Sequence, residues 1–508
     1  MDFFAIEAEE SRVWTEEQQA IFDHVAKMAP GTSLAIQARA GTGKTTTAVR
    51  SLRHTRRSDE RGDAIFLAFG RKNGRELDRV TPAYVKGSTF HSLARRVLGL
   101  DADFGKIWRI AKSTIREFKL RAPAVQLAGL GKGLGLGLDG GVPDDLDVWV
   151  ELVTEYGIRH QRRFTVERVA RAAQSLFRTS LQDLSTVDFD DQLYLVARDR
   201  TVDHLPRLDW LYVDEAQDTN PTQLFILDRL REASGGATRI VLVGDPAQAI
   251  YGWRGAGVRS FEIASRRYRA DLLTLTTSWR CPRSVVASAQ KIVPDIRARP
   301  DAPEGSVRTV SDMDMSLVRD GDVVLCRNNA PLLELALGAI RLGRSVHVAG
   351  KGLDRKVSKL CERLFKKTHR SPTDESVWED ERARIEGEYA DRPYAKALLM
   401  DDLSVGQAIW SIVMETGSPS TYEEFALILS NTMHGLFFDP DRGNPRGGIV
   451  MSTIHLAKGL EWDTVWFYKP SLIPSRTAQV LGGWHLAQEK NLDYVARTRA
   501  RENLIFAG

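Results

Sequence analysis

Cysteine is scarce in this chain of 508 residues, and the three that occur, Cys281, Cys326 and Cys361, are scattered without paired spacing. That excludes a disulfide framework and a cysteine-rich zinc module, and it leads us to expect small buried thiols in a reducing, cytoplasmic setting, that of the host for a virally encoded chain. An excess of one charge is also missing. Lys and Arg number 71 against 67 Asp and Glu, for a net charge of +4, so any electrostatic partner must be sought in local clusters. No run approaches the ~20 apolar residues that a membrane-spanning helix requires. The start, Met1-Asp2-Phe3-Phe4-Ala5-Ile6-Glu7, has no basic region ahead of an apolar one, and no secretory leader is expected. What is present is an ordinary hydrophobic fraction of 43% on a chain too long for one core, which predicts two to four domains.

The strongest local signal is Ala38-Arg39-Ala40-Gly41-Thr42-Gly43-Lys44-Thr45. It follows the strand-like run Ser33-Leu34-Ala35-Ile36 and precedes Thr46-Thr47-Ala48-Val49, which can open a helix. Strand, glycine loop, Lys-Thr and helix in that order are the context a phosphate-binding loop requires. Glycines let main-chain N–H groups of Ala40, Gly41, Thr42 and Gly43 converge on phosphate oxygens, and the helix start adds positive potential. Lys44 then reaches the β- and γ-phosphates, and the Thr45 hydroxyl binds Mg²⁺. Downstream, the apolar run Trp210–Val213 ends in Asp214 and Glu215. Nucleotide hydrolysis needs one carboxylate at the metal and one at the attacking water, assigned here to Asp214 and Glu215 respectively. A third run, Ile240–Val243, leads into a polar turn from which Gln248 can hydrogen-bond a γ-phosphate. Tyr251 and Trp253 follow, beside Gly and Arg, and offer a stacking platform for a base.

The strings VDEAQD and VGDPAQAIYGWRGA, with AGTGKTT ahead of them, resemble the UvrD/Rep-type superfamily 1 DNA helicases. Further segments are similar in the same order, from residue 14 to residue 500. Trp14-Thr15-Glu16-Glu17-Gln18 resembles the N-terminal glutamine motif, which implies adenine recognition by Gln18. Ala68-Phe69-Gly70-Arg71-Lys72-Asn73 resembles the single-strand contact motif, and Ser88-Thr89-Phe90-His91-Ser92 the T-x-H element that follows it. Asp188-Phe189-Asp190-Asp191 matches the family's DFDD stretch. The resemblance implies a γ-phosphate contact for Arg280, a ribose contact for Glu461, strand-backbone contacts for Thr453 and His455, and an arginine finger at Arg499. Phe69, Lys72, Thr89, His91, Tyr251 and Trp253 complete the implied strand-contact set. Two departures stand out: Thr46 where the family often has Arg on the adenine, and Trp279 where it usually has Tyr. Trp stacks on a purine at least as well. The resemblance thus implies ATP and Mg²⁺ as cofactors, single-stranded DNA and single/double-strand junctions as partners, 3′→5′ movement, and a compact monomeric motor core with accessory loading proteins allowed.

The expected fold class is α/β, with two RecA-like parallel-sheet motor domains, each carrying a mostly helical insertion. Strand-like runs at 33–36, 64–69, 210–213 and 240–243 alternate with helical stretches. A second set is expected at 273–276, 323–326, 346–348, 449–453 and 464–468. The boundaries read from this are 1–92 with 185–272 for the first motor domain and 273–355 with 446–508 for the second. The insertions are 93–184 and 356–445. The first insertion holds the glycine-rich tract 129–141, whose G-x-G-x-x-G spacing lacks the leading strand of a dinucleotide fingerprint and is expected to be a flexible loop. In the second, Val357, Leu360, Cys361, Leu364 and Phe365 fall at helical spacing among Lys356, Lys359, Arg363, Lys366 and Lys367. Such a basic outer face is either a solvated surface or a contact for phosphates.

Overall fold

The computed structural model describes residues 13–55, 64–70, 77, 81–140, 145–198, 204–350, 353–439, 445 and 447–508. The chain divides into two compact units. The first comprises Met1–Arg116, Ala128–Asp145 and Gln174–Ser278, and the second Glu117–Leu127, Leu146–Ala173 and Trp279–Gly508.

The first unit is built on six strands: β1 (Ser33–Ala38), β2 (Ala64–Ala68), β3 (Val85–Thr89), β4 (Trp210–Val213), β5 (Arg239–Gly244) and β6 (Asp271–Leu275). Their order is β3-β2-β4-β5-β1-β6 and every pairing is parallel. The strands read as continuous apolar runs because both faces of the sheet are covered. Leu34, Ile36, Phe66, Tyr212 and Val243 point into one cluster with Ile21, Phe22 and Val25. Ala35, Ile65, Leu67, Leu211 and Leu242 point into the other, with Phe90, Leu227 and Phe261. Parallel pairing puts all the strand C-termini at one edge, where ligands of such sheets bind.

Two expectations fail here. The strand expected at 273–276 to open the second sheet is instead β6 of the first, with Leu34–Ala38 paired to Asp271–Leu275. Its outward residues Asp271, Leu272 and Thr274 are exposed, as befits an edge. The glycine tract is not a loop at its start, because Phe118–Gly133 is helical. Its small residues serve close packing: a Cβ on Gly129 would lie 2.8 Å from Asp190 Oδ2.

The second unit is built on a seven-stranded sheet: β7 (Ser306–Val310), β8 (Val323–Cys326), β9 (Val346–Ala349), β10 (Phe437–Phe438), β11 (Ile449–Thr453), β12 (Trp462–Tyr468) and β13 (Ala500–Ala507). The order is β10-β9-β11-β8-β12-β13-β7, again wholly parallel. Val324, Cys326 and Met451 of this sheet share one core with Phe365, Trp378, Trp410 and Phe425 of the helical segments. Truncating a buried ring of this kind to Ala costs about 3–5 kcal/mol. The helix Leu353–Cys361 and the π-helical turn Glu362–Lys366 bury Val357, Cys361, Leu364 and Phe365, and leave Lys356, Lys359, Arg363 and Lys366 outside. All three cysteines are buried, and burial pushes the Cys326 and Cys361 thiols up to about 11 and about 12. Among the described residues one helix, Pro393–Thr416, is long and apolar enough by length and composition to cross a membrane, although Lys396, Asp401 and Asp402 interrupt its apolar run. Leu399, Leu403, Ile409, Trp410, Ile412 and Val413 on it belong to the unit's own core.

Candidate functional site

The loop after β1 and the turns after β4 and β5 meet at the sheet's C-terminal edge. Gly43 adopts φ 76°, a left-handed conformation that favours glycine, and leads into the helix Lys44–Leu52. Lys44 Nζ lies 3.4 Å from Glu215 Oε2. The Thr45 hydroxyl donates to Asp214 Oδ2 at 3.1 Å. Residues 171 positions apart are thus placed in one site, as the assignment of Lys44, Thr45, Asp214 and Glu215 requires. Burial, then the neighbouring Glu215, pushes the Asp214 carboxyl up to about 6, against the pull of Lys44. Glu215 itself sits at φ 50°, a strained conformation for a side-chain-bearing residue and one that clusters at functional sites. Two hard oxygen donors, a hydroxyl and a carboxylate, fit Mg²⁺, which typically takes one or two protein ligands and completes its shell with phosphate and water. Ala40 and Thr42 are buried in the loop, Gly41 takes φ 72°, and Thr46 is exposed.

Gln18 occupies the third position of a capping box. Its Oε1 accepts from Thr15 N at 3.1 Å and its Nε2 donates to Thr47 Oγ1 at 3.0 Å. The amide is therefore tied to the loop's own helix, a structural task that the expected adenine contact did not foresee. Gln248 Nε2 donates to Asp245 Oδ2 at 2.7 Å, and Asp245 Oδ1 faces Arg39 at 3.4 Å. Gln217 bridges the two turns. Its Nε2 donates to Glu215 Oε2, and its Oε1 accepts from Asp245 N at 3.0 Å. Gly244 is required beneath it, because a Cβ there would lie 2.5 Å from Gln217 Oε1.

In the second unit, residues far apart in sequence also converge. Arg280 Nε pairs with Glu461, and its NH1 donates to Thr498 O at 3.2 Å. Arg499 is 1% exposed, and its guanidinium donates to Val495 O, Leu460 O and Thr498 Oγ1. Burial, then the adjacent Arg280, brings it down to about 9. Two arginines side by side suit a dense anionic target. Glu461, expected on a ribose, is here the partner of Arg280 and lies 3.7 Å from Arg501. Trp279 is half-buried with the Arg299 guanidinium over its ring, 5.9 Å from the centroid.

The aromatic set is only partly as expected. Phe69 and Tyr251 stack with centroids 5.5 Å apart and planes 5° from parallel. Trp253 is 56% exposed. Arg254 lies over all three rings, 5.7, 5.3 and 4.6 Å from the Phe69, Tyr251 and Trp253 centroids. Thr89 caps the helix Phe90–Leu98, its hydroxyl accepting from Ser92 N at 3.1 Å, and that local task competes with a strand contact. The His91 ring is covered by Phe189 at 3.6 Å. Thr453 is buried at the end of β11. Burial, then Arg327 and Lys458, brings His455 down to about 3, so the imidazole is neutral. Lys72 lies outside the described residues.

Sequence reasoning missed Arg254, Gln217, Lys106 and Lys132. Lys132 Nζ lies 2.7 Å from both Asp188 Oδ2 and Asp191 Oδ1, and Lys106 Nζ 2.8 Å from Asp191 Oδ2, all buried. No local signal marks those lysines. Arg254 was signalled by its place among aromatics. The basic helix of the second unit lines a cavity of about 880 Å³, with Lys119, Lys356, Lys359 and Lys367 at its wall. Among the other residues lining it, Arg159 pairs with Asp402 at 2.9 Å and Arg363 with Glu381 at 2.8 Å.

The phosphate loop, the adjoining carboxylates and the parallel sheets define a P-loop nucleotide-binding α/β protein. A family model described as an AAA domain matches residues 19–254, and one described as a UvrD-like helicase C-terminal domain matches residues 414–507. The chain is 25% identical over 532 aligned residues to F-box DNA helicase protein 1 of Schizosaccharomyces pombe, covering 97% of this chain and 57% of that protein. It is 27% identical over 286 residues to the ATP-dependent DNA helicase PcrA of Leuconostoc citreum, covering 51% of this chain and 37% of that one. It is 30% identical over 128 residues to the ATP-dependent DNA helicase srs2 of Schizosaccharomyces pombe, with 25% and 14% covered. Both the matched models and these relatives make the chain similar to the UvrD/Rep-type superfamily 1 helicases. It spans little more than half the length of the first of these relatives and about a third of the second.

Proposed function

We propose that this chain is an ATP-dependent DNA helicase that moves 3′→5′ on single-stranded DNA and couples hydrolysis to duplex unwinding. The observation that carries the reading is the meeting of Lys44 with Glu215 at 3.4 Å and Thr45 with Asp214 at 3.1 Å, in the same unit as the Phe69–Tyr251–Trp253 platform. Lys44 and the loop's N–H groups hold the β- and γ-phosphates. Thr45 and Asp214 hold Mg²⁺, which when bound neutralises charge on the phosphoryl oxygens. Glu215, held by Gln217, orients the attacking water and takes its proton. Arg280 and Arg499 are assigned to the charge that develops on the γ-phosphate. Tyr251 and Trp253 grip bases without regard to sequence, as movement along any strand requires. The lysines of the second unit's cavity contribute phosphate contacts.

The test is hydrolysis of ATP with and without single-stranded DNA, followed by unwinding of duplexes carrying 3′ or 5′ tails. Stimulated hydrolysis with unwinding from 3′ tails supports the reading. Stimulated hydrolysis that strips streptavidin from a strand but separates no duplex marks a translocase that displaces proteins. Hydrolysis indifferent to DNA removes the motor reading.

A further inference from the structure

His91 belongs to the segment expected to touch the strand, but its ring lies 3.6 Å from that of Phe189, with planes 13° apart. Phe189 in turn lies 5.8 Å from Phe104, at 24°. The three rings form one stack that begins just after β3 and runs out to Phe104, ahead of the helix Lys106–Thr114. Phe104 is the stack's solvent end, 67% exposed, and Trp108, four residues on and in the first turn of that helix, is 42% exposed. Lys106 lies between them in sequence but points inward. Its Nζ donates to Ser180 O, Asp183 O, Thr186 O and Asp191 Oδ2, all within 2.6–2.8 Å. That fastening holds the outward rings in place at little further entropic cost. Lys112 and Arg116 follow and are exposed, and Arg109 pairs with Asp103.

We propose that Phe104 and Trp108 form a nucleobase-stacking station for an unpaired base of a DNA strand, separate from the Phe69–Tyr251–Trp253 platform. The proposal rests on the functional reading above. The occupant follows from the continuity of the stack with His91 and from the cations beside it. A flat ring offers stacking to any base, and Lys112 and Arg116 supply charge for the adjoining phosphates.

The experiment uses the full chain and a fluorescently labelled oligo-dT, with affinity read by anisotropy. The double variant Phe104→Ala/Trp108→Ala is expected to bind roughly 5- to 150-fold more weakly. Its hydrolysis without DNA should be unchanged, and so should the slope of affinity against salt, because no phosphate contact is removed. The aromatic pair Phe104→Tyr/Trp108→Phe should restore binding, which also shows that the site still folds. The aliphatic pair Phe104→Leu/Trp108→Leu should not. Restoration by leucine marks a generic apolar contact, such as a protein-docking face, and overturns the stacking station. Strand affinity within twofold of wild type in the alanine double variant overturns the station alone. Absence of strand binding in the wild type overturns the functional reading and the station with it.

Discussion

Replacing Lys132 with Met tests whether the buried charge cluster holds the first unit together. Lys132 and Lys106 supply two positive charges against those of Asp188 and Asp191, at 2.7–2.8 Å, with Lys132 and Asp191 fully buried. The variant leaves a buried net charge of −1. Removing one partner of such a pair costs about 3–5 kcal/mol, chiefly for the charge left behind. In a unit of this size each kcal/mol moves the melting temperature by about 2–4 °C, so the expected drop is about 6–20 °C. Burial works against the charge on Lys132, but Asp188 and Asp191 hold its pKa above the ordinary lysine value. A raised folded pKa gives stability that is fully present below the unfolded value of about 10.4 and lost only as pH rises through the folded one. Calorimetry at pH 7 therefore sees the whole effect. Adding Asp188→Asn should recover part of the loss, since it removes the orphaned charge. A shift under about 2 °C, or a double variant no better than the single one, would refute this account of the cluster.

Lys44→Ala and Glu215→Gln should each abolish ATP turnover, with the expected loss for the water-activating carboxylate about 10²–10⁴-fold in kcat; unaltered melting curves show that the fold survives. Trp253→Ala should weaken oligo-dT binding by about 1–3 kcal/mol and leave nucleotide affinity intact, as measured by anisotropy and by a fluorescent nucleotide. Gln217→Ala should reduce the stimulation of hydrolysis by DNA more than it reduces the unstimulated rate, and equal losses in a steady-state assay would count against its bridging role. Burial opposes ionisation of Glu381, but hydrogen bonds from Arg384 and Arg363 hold it down to about 2. A depressed carboxylate contributes stability that is present above its unfolded value of about 4.3 and lost as pH falls towards 2. Glu381→Gln should therefore cost about 2 kcal/mol at pH 7, allowing for half-exposed arginine partners, and very little at pH 2 by denaturant melts.

The parts of this site that were legible in the sequence are those whose chemistry is local. A glycine loop between a buried strand and a helix carries its meaning within eight residues. Two carboxylates at the end of an apolar strand carry theirs within six. Lys106 and Lys132 were illegible because their partners lie 56–85 residues away, and nothing beside a lone lysine says that it is buried. The glycine tract misled for a related reason. Composition reports that Gly129 is conformationally free, but only the fold reports that Asp190 leaves no room for a Cβ. β6 was recognised as a strand and given to the wrong sheet, because an apolar run does not name its neighbour. His91 was read from its own segment alone, and the ring that covers it comes from residue 189.

Nucleotide chemistry and strand grip are useful together only if one is felt by the other, and the first unit contains a bonded route between them. Gln217 holds the Glu215 carboxylate with one end of its amide and the Asp245 main chain with the other. The Asp245 carboxylate in turn binds the Gln248 amide and faces Arg39 of the phosphate loop. Gln248 stands three residues before Tyr251 and five before Trp253, on the same connection after β5. A shift of Glu215 towards a water therefore pulls on an amide that packs against Gly244, where a Cβ would lie 2.5 Å from its oxygen. Asp245 is fully buried and its pKa is raised by that burial against the pull of Lys44 and the Gln248 amide. Its ionised form depends on those partners staying in place, so a change at the phosphate loop alters the bond that sets Gln248. Spatial intermediacy alone does not establish coupling. What makes this route a physical argument is that each link is either a hydrogen bond with a named donor and acceptor or the covalent chain itself.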